Sequence, residues 1–214
     1  MSNVRGLMRL RSEIERVFEG NAFKRPLFYT YGGGLRFELS EGGSPIDQFL
    51  LAIQKARDIC EDIFDPQKPL VACLRVLGQD SRFTHRPVLR ELSAAGIRIS
   101  RNRCVWAEPI PPEDQVNEDV EGHWVTVAFE APSEMLQRLL WCALASDFGS
   151  IRPRPLCSVY LFELSKGALV FPYDDRGMDV VGPNHALLAK LYRQHSRYLL
   201  EFDRASMEET FGAL

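Results

Sequence analysis

No stretch of this 214-residue chain approaches the roughly 20 consecutive apolar residues that a membrane-spanning helix needs, so no membrane association is expected. Cysteine never occurs as a CxxC pair. Cys60, Cys73, Cys104, Cys142 and Cys157 are odd in number, far apart and set among apolar neighbours, a pattern that excludes a zinc knuckle and predicts buried, reduced thiols. The four histidines, His85, His123, His185 and His195, are scattered, and no two stand at metal-ligand spacing. No nucleophile elbow, Walker loop or zinc-protease helix is present. The triple glycine Gly32-Gly33-Gly34 is followed by a strand pattern, whereas a phosphate cradle needs a helix N-terminus there. These absences leave no metal, no cofactor and no catalytic residue to assign. The N-terminus runs straight into charged residues without an apolar segment and a small-residue cleavage site, which predicts a cytoplasmic protein.

What is present is a globular pattern, with 45% hydrophobic and 26% charged residues. Leu7, Leu10, Ile14, Val17 and Phe18 recur at helical spacing and predict a helix over Val4–Glu19, stopped by Gly20-Asn21. Leu27–Tyr31 and Leu35–Leu39 flank the triple glycine and read as a hairpin. A helix starts at Ser44-Pro45 with Asp47 near its positive end, and Ile46, Phe49, Leu50, Ile53, Ala56, Cys60 and Ile63 form its expected buried stripe. Leu70–Leu77 is almost continuously apolar and so reads as a central strand, interrupted only by Arg75. A short helix at Pro87–Ala95 and a brief strand at Ile97–Ile99 follow, then a strand at Trp124–Phe129 and a helix at Ser133–Ser146. Strands at Ser158–Glu163, Ala168–Phe171 and Met178–Val181 precede a helix capped by Asn184 and a last short helix capped by Asp203. Short-turn strands interrupted by helices without strict alternation predict an α+β fold, a largely antiparallel sheet packed against several helices. The domain is expected to be 1–214, or two lobes (1–103 and 123–214) joined by an acidic loop, 108–122.

Charge is segregated along the chain. From Leu74 to Arg103 there are seven arginines against Asp80 and Glu91; from Cys104 to Glu134 there are eight acids and no Lys or Arg. The acidic stretch can meet a basic partner protein, making Glu108, Glu113, Asp114, Glu118, Asp119 and Glu121 candidate partner-binding residues, or it can fold back on the arginines. The basic stretch (Arg82, His85, Arg86, Arg90, Arg98, Arg101, Arg103) offers a competing nucleic-acid-binding reading, but it lacks interleaved aromatics and the whole chain is acidic.

The densest local signal is Phe171-Pro-Tyr173-Asp174-Asp175-Arg176-Gly177-Met178-Asp179-Val-Val181, charged residues around a glycine between two apolar stems. It predicts a strand–turn–strand unit in which Gly177 takes positive φ and an aspartate binds nearby N–H groups. Arg176 is expected to reach Asp203 or Glu163 and pin the turn to the last helix. An enzyme reading instead makes Asp174, Asp175 and Asp179 a metal-assisted or acid–base site, although adjacent strand residues point to opposite faces.

Tyr173-Asp-Asp-Arg-Gly-Met-Asp-Val180, with Leu191-Tyr192, Leu199-Leu-Glu-Phe-Asp-Arg204 and, more loosely, Gly34-Leu-Arg-Phe-Glu-Leu39 and Ile59-Cys-Glu-Asp-Ile-Phe-Asp65, resembles an uncharacterised bacterial family catalogued as a domain of unknown function. The resemblance implies a soluble bacterial protein without an assigned reaction; Tyr173, Asp174, Asp175, Arg176, Gly177 and Asp179 carry its signature. By analogy with small acidic toxin-neutralising proteins, the leading expectation is a non-enzymatic interaction module, such as an immunity-type inhibitor that binds a basic toxin.

Overall fold

The computed structural model describes residues 2–78, 85–111 and 122–212. Its seven strands are β1 (Leu35–Glu38), β2 (Leu70–Gly78), β3 (Arg103–Pro109), β4 (His123–Ala131), β5 (Ser158–Glu163), β6 (Ala168–Pro172) and β7 (Gly177–Val181). They form one sheet in the order β1-β7-β6-β5-β2-β4-β3, and every neighbouring pair is antiparallel. The α+β expectation therefore holds. The apolar run of β2 sits centrally, hydrogen-bonded to β4 on one side and β5 on the other.

Helices α3 (Pro45–Ile63), α4 (Arg86–Ala94), α5 (Leu136–Leu144), α6 (His185–Gln194) and α7 (Arg204–Phe211) pack on one face of the sheet. Even-numbered positions of β2 (Leu70, Ala72, Leu74) meet Phe49, Ile59, Leu140 and Leu188 there. The other face carries Val71 and Cys73, Tyr160 and Phe162, Leu169 and Phe171. It is covered by α1 (Ser2–Val17) and by Phe18, Ala22 and Leu27 of the segment after it. Period-2 alternation thus feeds two cores on either side of one sheet.

Local signals explain the helix starts. Ser44 Oγ accepts the Asp47 N–H (3.3 Å) ahead of Pro45, and Asn184 Oδ1 accepts the Leu187 N–H (3.1 Å). Ile46 and Leu50 do not join the buried stripe; both are exposed, and the inward face runs through Phe49, Ala52, Ala56, Ile59 and Ile63 instead. Asp203 stands at the start of α7 without capping it, because its carboxylate is taken elsewhere.

Two further expectations are corrected. Leu27–Thr30 is a single helical turn (α2), not the first arm of a hairpin, and β1 pairs with β7 rather than with it. The turn is fixed by a distant group: the Phe28 N–H donates to Asp179 Oδ2 (3.1 Å). Ile97–Ile99 forms no strand, whereas Arg103–Pro109 does. No helix among the described residues is long and apolar enough to cross a membrane.

All five cysteines are buried and free. Burial pushes the thiols up, to about 12 for Cys142 and Cys157. A native-state titration with an aromatic disulfide reagent at pH 8 should accordingly register close to none of them within minutes, and all five in denaturant. Rapid native labelling would contradict the burial.

Candidate functional site

The Tyr173–Asp179 segment forms part of a clasp. β1 and β7 pair with Arg36 opposite Asp179, so the two side chains rise from the same sheet face. Arg36 Nε donates to Asp179 Oδ1 (2.7 Å) and Nη2 to Oδ2 (3.0 Å), a bidentate pair around a carboxylate that is 1% exposed. Arg36 Nη1 reaches Asp203 Oδ2 (3.3 Å), and the Tyr29 hydroxyl donates to Asp203 Oδ1 (2.8 Å). The rings of Phe28, Tyr29 and Tyr173 surround the guanidinium, each centroid about 5 Å from its carbon. Burial pushes the Asp179 carboxyl above its ordinary value, an effect only partly offset by Arg36 and the Phe28 N–H. Burial works against the Arg36 charge too, but the hydrogen bond and charge of Asp179 outweigh it and hold the guanidinium above its ordinary value.

Three segments distant in sequence, around Arg36, Tyr173–Asp179 and Asp203, thus meet at one arginine. The partner of Asp203 is Arg36, not Arg176. Arg176 turns back on its own loop, where Asp174 Oδ1 accepts its N–H (2.9 Å) and Asp174 Oδ2 lies 3.4 Å from Nη2. The strand–turn–strand reading holds, with the Tyr173 N–H donating to the Gly177 carbonyl (3.1 Å), but its account of the glycine does not. Gly177 lacks positive φ; it is needed because the Tyr173 ring lies on it, and a β-carbon there would stand 1.8 Å from the hydroxyl oxygen. Asp174, Asp175 and Asp179 are divided between two environments. Asp179 faces Arg36 and Asp203, while Asp175 sits among Asp174, Asp147 and Arg176, where burial and the two acids raise its carboxyl. Among the described residues no three His, Cys, Asp or Glu side chains converge as metal ligands.

A second arginine cluster occupies the same sheet face toward β3. Arg75, the one break in the β2 apolar run, is 3% exposed. Its Nη1 donates to the Phe23 carbonyl (3.1 Å), and its closest carboxylate is Glu108, 3.8 Å from Nη2. Glu108 also accepts from Arg11 (3.1 Å), so this first acid of the acidic stretch folds back onto arginines. Arg25 donates from Nε to the Tyr160 hydroxyl (3.0 Å) and from Nη2 to Ser158 Oγ (2.6 Å), both neutral groups. The guanidinium carbons of Arg25 and Arg75 lie 5.9 and 4.9 Å from the Trp124 ring centroid, and Arg25 also covers the Phe171 ring (4.9 Å). Phe23, Lys24, Arg25, Arg75, Glu108 and Pro109 line a recess of about 190 Å³ here. A neighbouring recess of about 220 Å³ shares Gly20, Phe23 and Glu108 and reaches Trp106. Pattern reading marked Arg75 as an interruption but had no means of placing Arg25 beside it.

The two sheet edges differ. β1 is closed: the Leu200 N–H donates to the Arg36 carbonyl (2.9 Å), the Arg36 N–H meets Met207 Sδ (3.2 Å), and Phe37 bridges Leu199. On the outer side of β3 no strand pairs among the described residues, and Arg103, Val105, Ala107 and Pro109 are exposed. Of the other partner-binding candidates, Glu113, Asp114, Glu118, Asp119 and Glu121 lie outside the described residues, as does Arg82 of the basic stretch. Arg86, Arg90, Arg98, Arg101 and Arg103 are exposed on and after α4.

The fold and the clasp define an α+β domain built on one antiparallel sheet with helices on both faces. The chain belongs to the family described as a domain of unknown function, DUF3885, whose model matches residues 10–203, a span that includes Arg36, Tyr173–Asp179 and Asp203. Comparisons with curated proteins and with solved structures gave no match.

Proposed function

We propose that this chain is a non-enzymatic protein-binding module of the bacterial cytoplasm that takes its partner along the β3 edge. The observation that supports the reading is the asymmetry of the sheet: β1 is sealed by the 199–200 segment and α7, while the outer side of β3 has no strand partner among the described residues and carries the exposed Val105. Open edges are templates for strand addition. The acids from Glu113 to Glu121 continue directly from this strand, which favours a partner with a basic surface; an immunity-type inhibitor seated on a basic toxin is the specific form of the proposal.

Two variants test it in the native cell. Lysines at Val105 and Ala107 spoil the edge, and Lys substitutions at Glu113, Asp114, Glu118 and Asp119 reverse the charge. Each should cut recovery of the co-purifying partner at least tenfold while the melting temperature stays within about 2 °C, because surface changes cost little. Undiminished recovery with both variants would overturn the reading.

A further inference from the structure

Arg36, partly buried, and Arg75, buried, stand on one sheet face, yet their surroundings differ in kind. Arg36 has two buried carboxylates, whereas Arg75 has one carboxylate at 3.8 Å that is shared with Arg11. A guanidinium cannot shed its proton, and a buried charge without a well-placed counter-charge is costly. Arg25 adds a second cation against the same indole and has no carboxylate within 4.0 Å among the described residues.

The unmet hydrogen-bonding capacity falls in the same place. Arg75 Nε, Trp106 Nε1, Trp124 Nε1 and Thr126 Oγ1 are buried without a hydrogen-bond partner among the described residues; only His85 Nδ1 shares that state elsewhere. The sheet register joins them, since Thr126 stands opposite both Arg75 and Trp106, and Trp124 stands opposite Glu108. Orphaned donors of this kind are rare and call for an explanation. Arg11, Lys24, Arg25 and Arg75 outnumber Glu15 and Glu108 by two charges around the paired recesses.

The geometry points to a binding site for a small phosphomonoester, its dianionic head seated between Arg25 and Arg75 beside Trp124. The charge excess matches a dianion. Donors on side chains from β2, β4 and the segment before α2 suit a tetrahedral acceptor better than a planar carboxylate. Phe23, Pro109 and Trp106 supply apolar walls for the rest of the ligand. Glu108 is the internal competitor: its carboxylate leans on Arg75 in the same recess and repels an incoming anion. The site lies on the face of the sheet, apart from the outer edge of β3, and does not depend on the protein-binding reading.

The test is thermal melting and calorimetric titration of the full chain with inorganic phosphate and phenyl phosphate, against sodium chloride and sodium acetate at equal ionic strength. Both phosphates should raise the melting temperature in a saturable way, phenyl phosphate at lower concentration, while chloride and acetate should not. Arg25→Gln should weaken phosphate binding at least tenfold, and Glu108→Gln should strengthen it severalfold. Arg75→Met should abolish binding; if that variant does not fold, the Arg25 and Glu108 variants decide the matter. No saturable phosphate response in the parent, an equal response to acetate, or affinity unchanged in both Arg25→Gln and Glu108→Gln would overturn the assignment.

Discussion

Asp179→Asn should lower the stability of this protein by about 3–5 kcal/mol, the cost of leaving a buried guanidinium without its counter-ion. For a domain of this size that corresponds to a drop in Tm of roughly 10 °C. The carboxylate is 1% exposed and holds both Arg36, through two hydrogen bonds, and the Phe28 N–H that shapes α2. An asparagine keeps one acceptor and turns a donor toward the guanidinium, so neither partner is satisfied. Asp203→Asn should cost less, about 1–2 kcal/mol, because its contact with Arg36 is longer and Tyr29 can still donate to the amide oxygen. Replacing Arg36 and Asp179 together by Met and Leu should recover much of the loss, since an apolar pair of similar volume removes both desolvation costs.

The same denaturant series separates the clasp from a catalytic carboxylate cluster. Asp175 has a folded-state pKa above its unfolded one, so its ionised form is disfavoured by folding and any stability it lends is lost as pH rises through that value. At pH 7 Asp175→Asn should therefore be neutral or slightly stabilising; Asp179, whose carboxyl burial raises in the same direction, differs because its removal strands the Arg36 guanidinium. A shared acid–base or metal role would instead make the two substitutions alike in a functional readout, whatever their separate effects on stability. Asp179→Asn within 1 kcal/mol of the parent would remove the clasp as the organiser of this end of the sheet.

The parts of the fold that were legible in the sequence share one property: their determinants are local. Ser44-Pro45-x-Asp47 and Asn184 announce helix starts within four residues, and the apolar run of β2, broken only at Arg75, states that both its faces are covered. The hairpin from β6 to β7 follows from a short polar turn between two apolar stems. The errors arose where the determinant is remote. Leu27–Thr30 has strand-like composition, yet its shape is set by Asp179, 151 residues away. β3 was missed because an edge strand with one exposed face alternates Arg103, Val105 and Ala107 with Cys104, Trp106 and Glu108, and no apolar run marks it. Arg36 and Asp203 are 167 positions apart, so no spacing rule could pair them, although both stood in segments that resemble the family. Arg75 was the more readable of the two cleft arginines, because a charge inside a central strand needs a specific reason to be there.

Gly177→Ala should destabilise by about 2–3 kcal/mol, as overpacking a closed contact does, even though the residue sits in ordinary strand conformation where alanine is conformationally harmless. A β-carbon would lie 1.8 Å from Tyr173 Oη, 2.1 Å from Cζ and 2.5 Å from Cε2, so the whole ring must move. That ring is also one wall of the cage around Arg36, with its centroid 5.1 Å from the guanidinium carbon. Displacing it loosens the clasp as well as the turn. The discriminating measurement is a double-mutant cycle in denaturant. Tyr173→Ala alone should cost about 2 kcal/mol through lost ring burial, and adding Gly177→Ala to it should cost almost nothing further, since the methyl group then fills vacated space. A strongly negative coupling of about 2 kcal/mol between positions 173 and 177 is thus expected. Additive losses would mean that Gly177 is required by the backbone instead, and Tyr173 and Gly177 would then be two separate constraints rather than one contact seen from both sides.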